Sequence, residues 1–193
     1  MMKDIEYHPL PFFLPTDTQL IMLGSFPPKQ ERWSMNFFYP NFQNDMWRIF
    51  GLIFFQNKDH FLLADRKAFN EESIREFLSY KKIGIGDTAR AVIRHKDNAS
   101  DNFLEVVEAT DLGAILHQVS TCRAIVTTGQ KATDTLISFV QTTEPKIGDF
   151  SPFEFQGRPM RLYRMPSSSR AYPKSLAGKA EIYQSMFEQL GML

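Results

Sequence analysis

The chain has 193 residues, is 43% hydrophobic and carries 18 phenylalanines, so it can build a real core and is expected to form one domain over 1–193. Acidic and basic residues balance at 22 each, which gives no global mark of a polyanion partner and leaves any nucleic-acid contact to local patches. Cys122 is the single cysteine, which excludes a disulfide framework, a Cys-ligated zinc and an iron–sulfur cluster. No apolar run reaches the ~18 residues of a membrane span, and MMKDIEYHPLPFF has no signal-peptide pattern. The expectation is a soluble, cytoplasmic, monomeric protein with no membrane contact.

Residues 8–16, HPLPFFLPT, are proline-rich and should run extended. QLIMLG (19–24) is a short apolar run closed by glycine, as in a buried strand. From Asn44, the candidate N-cap, the series Met46-Ile49-Ile53 and Trp47-Phe50-Phe54 recur at helical spacing. EESIREFLSY (71–80) predicts a helix with Ile74, Phe77 and Leu78 on one face, and KIGIGD (82–87) a strand entering a Gly-Asp turn. RHKDNASDNF (94–103) is polar and should be a loop. DLGAILHQV (111–119) reads as a helix, RAIVTTG (123–129) as a β-branched strand, and QKATDTLISFV (130–140) as the helix after it. RPMRLYRM (158–165) alternates like a strand, and PSSSRAYPK (166–174) is a loop, with Ser175 a candidate N-cap. The last helix aligns Leu176, Ala180, Tyr183, Phe187 and Leu190.

Alternating strands and helices predict an α/β fold, a three-layer α/β/α sandwich around a central, mainly parallel four-stranded sheet. Ligands in such folds bind beyond the carboxyl ends of the strands. The segments 24–44, 86–103 and 166–174 leave those ends.

Gly24-Ser25-Phe26-Pro27-Pro28, followed by FFYPNFQNDMW, resembles the first-strand region of the uracil-DNA glycosylase superfamily. There a Gly-x-x-Pro loop precedes a segment close to aromatic-aromatic-x-His-Pro-x-Asn-x-aromatic-Trp. Phe38, Tyr39, Asn44, Met46 and Trp47 match its spacing. HPLPFF before the strand resembles the hypoxanthine-DNA glycosylase branch, with the mismatch-specific thymine/uracil branch a little further off. KKIGIGDTARAV and MPSSSRAYPKS are similar to the superfamily's second-strand segment and its late Pro-Ser loop, which enters the DNA minor groove. The matches span most of the chain in order. Three features depart: Phe26 stands where many members carry Asp, Asn or Glu, the pair Asn41-Phe42 replaces His-Pro, and Met165 replaces a His.

The resemblance implies a monofunctional glycosylase acting on double- or single-stranded DNA that contains a damaged base, with no metal or organic cofactor. Cleaving an N-glycosidic bond builds positive charge on the sugar and negative charge on the base, so it needs a placed water and donors to the base. Asn44 is the candidate for orienting water through its carbonyl oxygen, or else it only caps its helix. Asp45 beside it reads as a first-turn carboxylate. Asp87, at the end of the second strand, is the second catalytic candidate, or a cap for the segment after it. Gly24, Ser25, Phe26 and Pro27 would hold the base, Ser25 and Phe26 through their backbone amides. Phe38 and Tyr39 would stack on it, and base–aromatic stacking contributes roughly 1–3 kcal/mol per base. Ser167, Ser168, Ser169, Arg170 and Tyr172 would meet DNA, with a plain helix-leading loop as the alternative. Arg90, Arg94, His95 and Lys96 form a local basic cluster that either meets backbone or is a solvated face. TGQKAT lacks the spacing of a phosphate loop, and the four histidines lack metal-ligand spacing.

The leading reading is hydrolysis of the bond between deoxyribose and uracil, hypoxanthine or xanthine, in base excision repair. The alternative is a nucleic-acid binder that keeps the fold without the chemistry, in line with Phe26, Asn41 and Met165. A third is a structural paralogue with no affinity for nucleic acid.

Overall fold

A computed structural model describes residues 4–96 and 100–193. In chain order its elements are β1 (Ile5–Tyr7), β2 (Leu20–Gly24), α1 (Met46–Phe55), α2 (Glu71–Lys81), β3 (Ile83–Asp87), β4 (Ala89–Arg94), β5 (Leu104–Ala109), α3 (Leu112–Gln118), β6 (Ala124–Thr128), α4 (Gln130–Val140), β7 (Phe150–Phe155), β8 (Arg158–Met165) and α5 (Leu176–Gln189). Short 3-10 turns occupy Gln30–Arg32 and Asp101–Phe103. No helix among the described residues is long and apolar enough to cross a membrane.

The main sheet has the order β3-β2-β6-β8-β7. Its first four strands run parallel, and β7 returns antiparallel along β8. The expected four-stranded sheet is therefore five-stranded and mixed. The extra strand, FSPFEF, was hidden by Pro152, which cannot donate to a ladder and is tolerated because β7 lies on the edge. Every residue of β2, β3 and β6 is buried, as a strand covered on both faces requires.

Leu20 and Met22 face one core with α1, α2 and α5, while Ile21 and Leu23 face the other with α3 and α4. This gives the three layers. Phe13 exchanges backbone hydrogen bonds with Ile85 at 3.0 and 2.9 Å, so the proline-rich lead-in covers the outer edge of β3.

A second, antiparallel sheet of order β1-β4-β5 was not foreseen. The chain leaves β3 at Asp87, turns through Thr88 and enters β4. The Thr88 amide donates to the Gly24 carbonyl at 2.8 Å and the Ala89 amide to that of Ser25 at 3.2 Å. The segment 94–103 is thus only partly a loop: Arg94 closes β4 and a 3-10 turn ends at Phe103, while residues 97–99 lie outside the described residues. A small core of Phe26, Ala89, Val92 and Leu104 joins this sheet to the main one.

The carboxyl ends of β2, β3, β6 and β8 finish at one rim. The register pairs Gly24 with Asp87 and Thr128 with Met165. The loops after β2, β3 and β8 all leave from it.

Candidate functional site

Asp87 closes β3 with its side chain 8% exposed, and His8 lies against it, 1% exposed, with Nε2 2.7 Å from Oδ2. The Leu10 amide donates to His8 Nδ1 at 3.1 Å. An accepting Nδ1 leaves the proton on Nε2, so the neutral imidazole donates to the carboxylate. Phe26 meets the His8 ring edge-on at 5.2 Å and Phe38 tilts against it at 5.9 Å. The other carboxylate oxygen turns toward the backbone of Gly24, where a Cβ would lie 2.6 Å from Oδ1 and 3.1 Å from Tyr39 Oη. Glycine is the residue that leaves room there.

Tyr39 has φ 50°, a left-handed conformation that costs a bulky side chain about 1 kcal/mol or more. That backbone carries its hydroxyl inward to 2.5 Å from Thr128 Oγ1, at the end of β6. Burial first, and the negative charge of Asp87 second, push the phenol far above its ordinary range, so it stays protonated. Ser25 donates its hydroxyl to Asp101 Oδ1 at 2.7 Å. Burial raises the Asp101 carboxyl above its usual value; the Ser25 bond opposes this and the charge of Asp87 adds to it. Gly24, Ser25, Tyr39 and Asp87 therefore converge with three residues that sequence reasoning missed: His8, Asp101 and Thr128.

Asn44 is anchored differently. Its Oδ1 accepts from the Met46 amide at 2.9 Å, while the N-cap position itself falls on Asp45. The expected cap is displaced by one residue, although the Asn44 side chain does bond the helix start. Arg48, one turn on, donates to the carbonyls of Phe42 and Asn44 at 2.8 and 3.1 Å and lies over the rings of Phe42 and Phe69. Burial, then repulsion from Arg170, lowers its affinity for its proton.

Asp45 ties this helix start to the late loop. Its amide donates to the Ser168 carbonyl at 2.9 Å, and its carboxylate receives Arg170 Nε and Lys179 Nζ, each at 3.1 Å. Lys179 is fully buried in α5 and also donates to the Ser169 carbonyl at 2.8 Å. Asp45 is thus the centre of an ion-pair cluster rather than a partner of the helix dipole alone.

The remaining expected residues are distributed as follows. Phe38 is 2% exposed, packed on Phe37, with its carbonyl accepting from Trp47 Nε1 at 3.1 Å. Its ring is part of the core, whereas Tyr39 stays partly open. The Phe26 ring belongs to the small core, and Phe26 and Pro27 also border an open groove lined by Tyr7, Pro9, Pro28 and Trp33. Ser168 is buried, Ser167 and Ser169 bond amides within their own loop, and Arg170 reaches Gln43 and Asp45. Tyr172 is half-buried in the same loop. The local basic cluster is largely committed to protein: Arg94 pairs with Glu6 and the Pro27 carbonyl, His95 with Glu105, and Arg90 with the Leu10 carbonyl. Among the described residues no group of His, Cys, Asp and Glu side chains is disposed to hold a metal.

No family model matches the sequence, and no curated protein matches it. A solution NMR structure from Methanosarcina acetivorans, described as a "putative Uracil DNA glycosylase", superimposes with a TM-score of 0.64 at 21% identity, over 97% of this chain and 99% of that one. The two share a fold. The likeness extends over nearly the whole chain and is consistent with the α/β class expected from the sequence.

Proposed function

We propose that the chain is a monofunctional DNA glycosylase that hydrolyses the N-glycosidic bond of a deaminated base, with uracil, hypoxanthine and xanthine as the candidate substrates. The carrying observation is Asp87: a buried carboxylate at the rim, with one oxygen held by His8 and the other lying against the backbone of Gly24 beside Tyr39. A carboxylate so placed can hold the attacking water and stabilise the cationic sugar. Asn44, at the start of α1, keeps its amide nitrogen for water or sugar while its oxygen holds the helix. Tyr39 would offer the face on which an extruded base stacks, and the amides of Ser25 and Phe26 would serve as donors to its polar edge. The loop 166–174 meets the DNA backbone through Ser167, Ser169, Arg170 and Tyr172. In the cell this is a cytoplasmic, monomeric enzyme of base excision repair.

The second reading, a binder without chemistry, is favoured by one observation: the Asn44 oxygen is already occupied by the Met46 amide. Single-turnover incubation of excess protein with duplexes carrying uracil, hypoxanthine, xanthine or thymine, followed by alkaline cleavage of abasic sites, separates the two. Cleavage of one substrate is expected. Asp87→Asn should slow it by on the order of 100-fold or more, the usual cost of losing an electrostatic or proton-handling group. Asn44→Ala should slow it less. Binding without cleavage on every substrate selects the second reading.

A further inference from the structure

Resting on that glycosylase reading, we infer that His8 is a positioning residue of the site, and that the amino-terminal lead-in exists in part to bring it there. His8 precedes the first core strand and lies 79 positions from Asp87. The HPLPFF stretch that it opens gives a resemblance but no role to the histidine.

The geometry fixes the imidazole from every side. The Leu10 amide holds Nδ1, the rings of Phe26 and Phe38 enclose its edges and face, and the His8 amide donates to the Arg90 carbonyl at 2.8 Å. Arg90 in turn donates to the Leu10 carbonyl, so the turn that aims His8 is itself bonded to β4. The ring has one free direction, and Nε2–H points along it to Asp87 Oδ2.

The consequence for the carboxylate is orientation. A carboxylate on a free rotor presents either oxygen to water. With Oδ2 committed to His8, Oδ1 is the oxygen left on the side of Gly24 and Tyr39. A neutral imidazole does this without placing a full positive charge beside the group that must stabilise a cationic sugar, so Asp87 keeps its charge for the transition state. The role parallels second-shell partners elsewhere, whose removal typically costs about 10–100-fold. His8 touches no substrate; it acts through Asp87.

The test uses the full chain with His8→Leu, which keeps the apolar contacts and removes the donor, and His8→Gln, whose Nε2–H reaches a similar point. Each is assayed for single-turnover cleavage and for duplex affinity by anisotropy. The His8 tautomer of the parent protein is read from long-range proton–nitrogen correlations. The inference expects the Nε2–H form, a loss of about 10–100-fold in rate for His8→Leu with duplex affinity held within about twofold, and recovery of most of the rate in His8→Gln. An Nδ1–H tautomer overturns it, and that spectrum decides even where His8→Leu does not fold. Undiminished cleavage by His8→Leu overturns it while leaving the glycosylase reading intact. Parallel loss of rate and affinity without rescue by glutamine also overturns it, assigning His8 to the fold alone. Absence of cleavage by the parent protein on every substrate overturns both.

Discussion

Asp101 shows how a single half-buried carboxyl shapes stability. Its carboxyl is raised by burial, so the folded state holds that proton more tightly than the unfolded chain does. The stability it contributes is complete below the ordinary carboxylate range and is lost as pH rises through the raised value. Asp101→Asn keeps an acceptor for Ser25 and removes the titration. Its Tm should exceed the parent's near pH 7, with the difference shrinking as pH falls toward 3, a comparison that thermal unfolding at the two pH values decides. Gly24 makes the opposite case. Gly24→Ala puts a methyl group where Asp87 Oδ1 and Tyr39 Oη already are, and overpacking of that kind costs about 1–3 kcal/mol. Stability measured by urea unfolding should fall accordingly, and on the proposed glycosylase reading cleavage should fall with it. Gly24 and Asp87 were readable in the sequence because both close a strand in a fold whose ligands sit at strand ends. His8 and Asp101 were not. Their partners lie 79 and 76 positions away, and no periodicity encodes a contact of that range.

Between elements, the decisive joint is Asp45 with Lys179 and Arg170, which fastens the start of α1 to α5 and to the loop between β8 and α5. Lys179 is fully buried, so removing it leaves a buried carboxylate with one half-exposed partner. Breaking a buried pair from one side costs about 3–5 kcal/mol. Lys179→Met should fall in that range by urea unfolding, and the double change with Asp45→Asn should recover a large part, giving a coupling energy of about 1 kcal/mol or more. Additive effects would sink the cluster as an energetic unit. The helices of this joint were legible from apolar spacing, and Ser175 caps α5 as expected, its hydroxyl accepting from the Gly178 amide at 3.0 Å. The strands were legible where both faces are buried, or where the residues alternate as in RPMRLYRM. β5 escaped because LEVVEA buries Leu104 alone completely, and β1 because three residues carry no period.

At the scale of the molecule, two sheets share one rim. The small sheet is there because the chain reverses at Thr88 instead of entering a helix, a decision made by hydrogen bonds from Thr88 and Ala89 to the end of β2. No local signal near DTARAV records those partners, so the α/β class was readable and the second sheet was not. Cys122 offers a probe of the whole. It lies fully buried in the core shared by α3, α4 and the main sheet, and burial pushes its thiol up to about 11. Only the thiolate reacts. A thiol reagent at pH 8 should leave the native protein unlabelled and label it in urea at the midpoint of global unfolding. Labelling well below that midpoint would reveal a sub-global opening of this core.

The lead-in that carries His8 also lies along the outer edge of β3, and β7 guards the opposite edge with a proline inside its ladder. An open sheet edge is a template on which a neighbouring chain can add a strand, the first step toward fibrillar growth. Here one end is occupied by the chain itself and the other lacks a donor where an incoming strand would need one. The main sheet is thereby shielded at both edges against added strands, and the shielding at β3 depends on the same segment that carries the histidine. A chain whose amino-terminal segment has come loose loses the His8 contact to Asp87 and bares the β3 edge together, so on the inference drawn above one lesion would cost both alignment and edge protection.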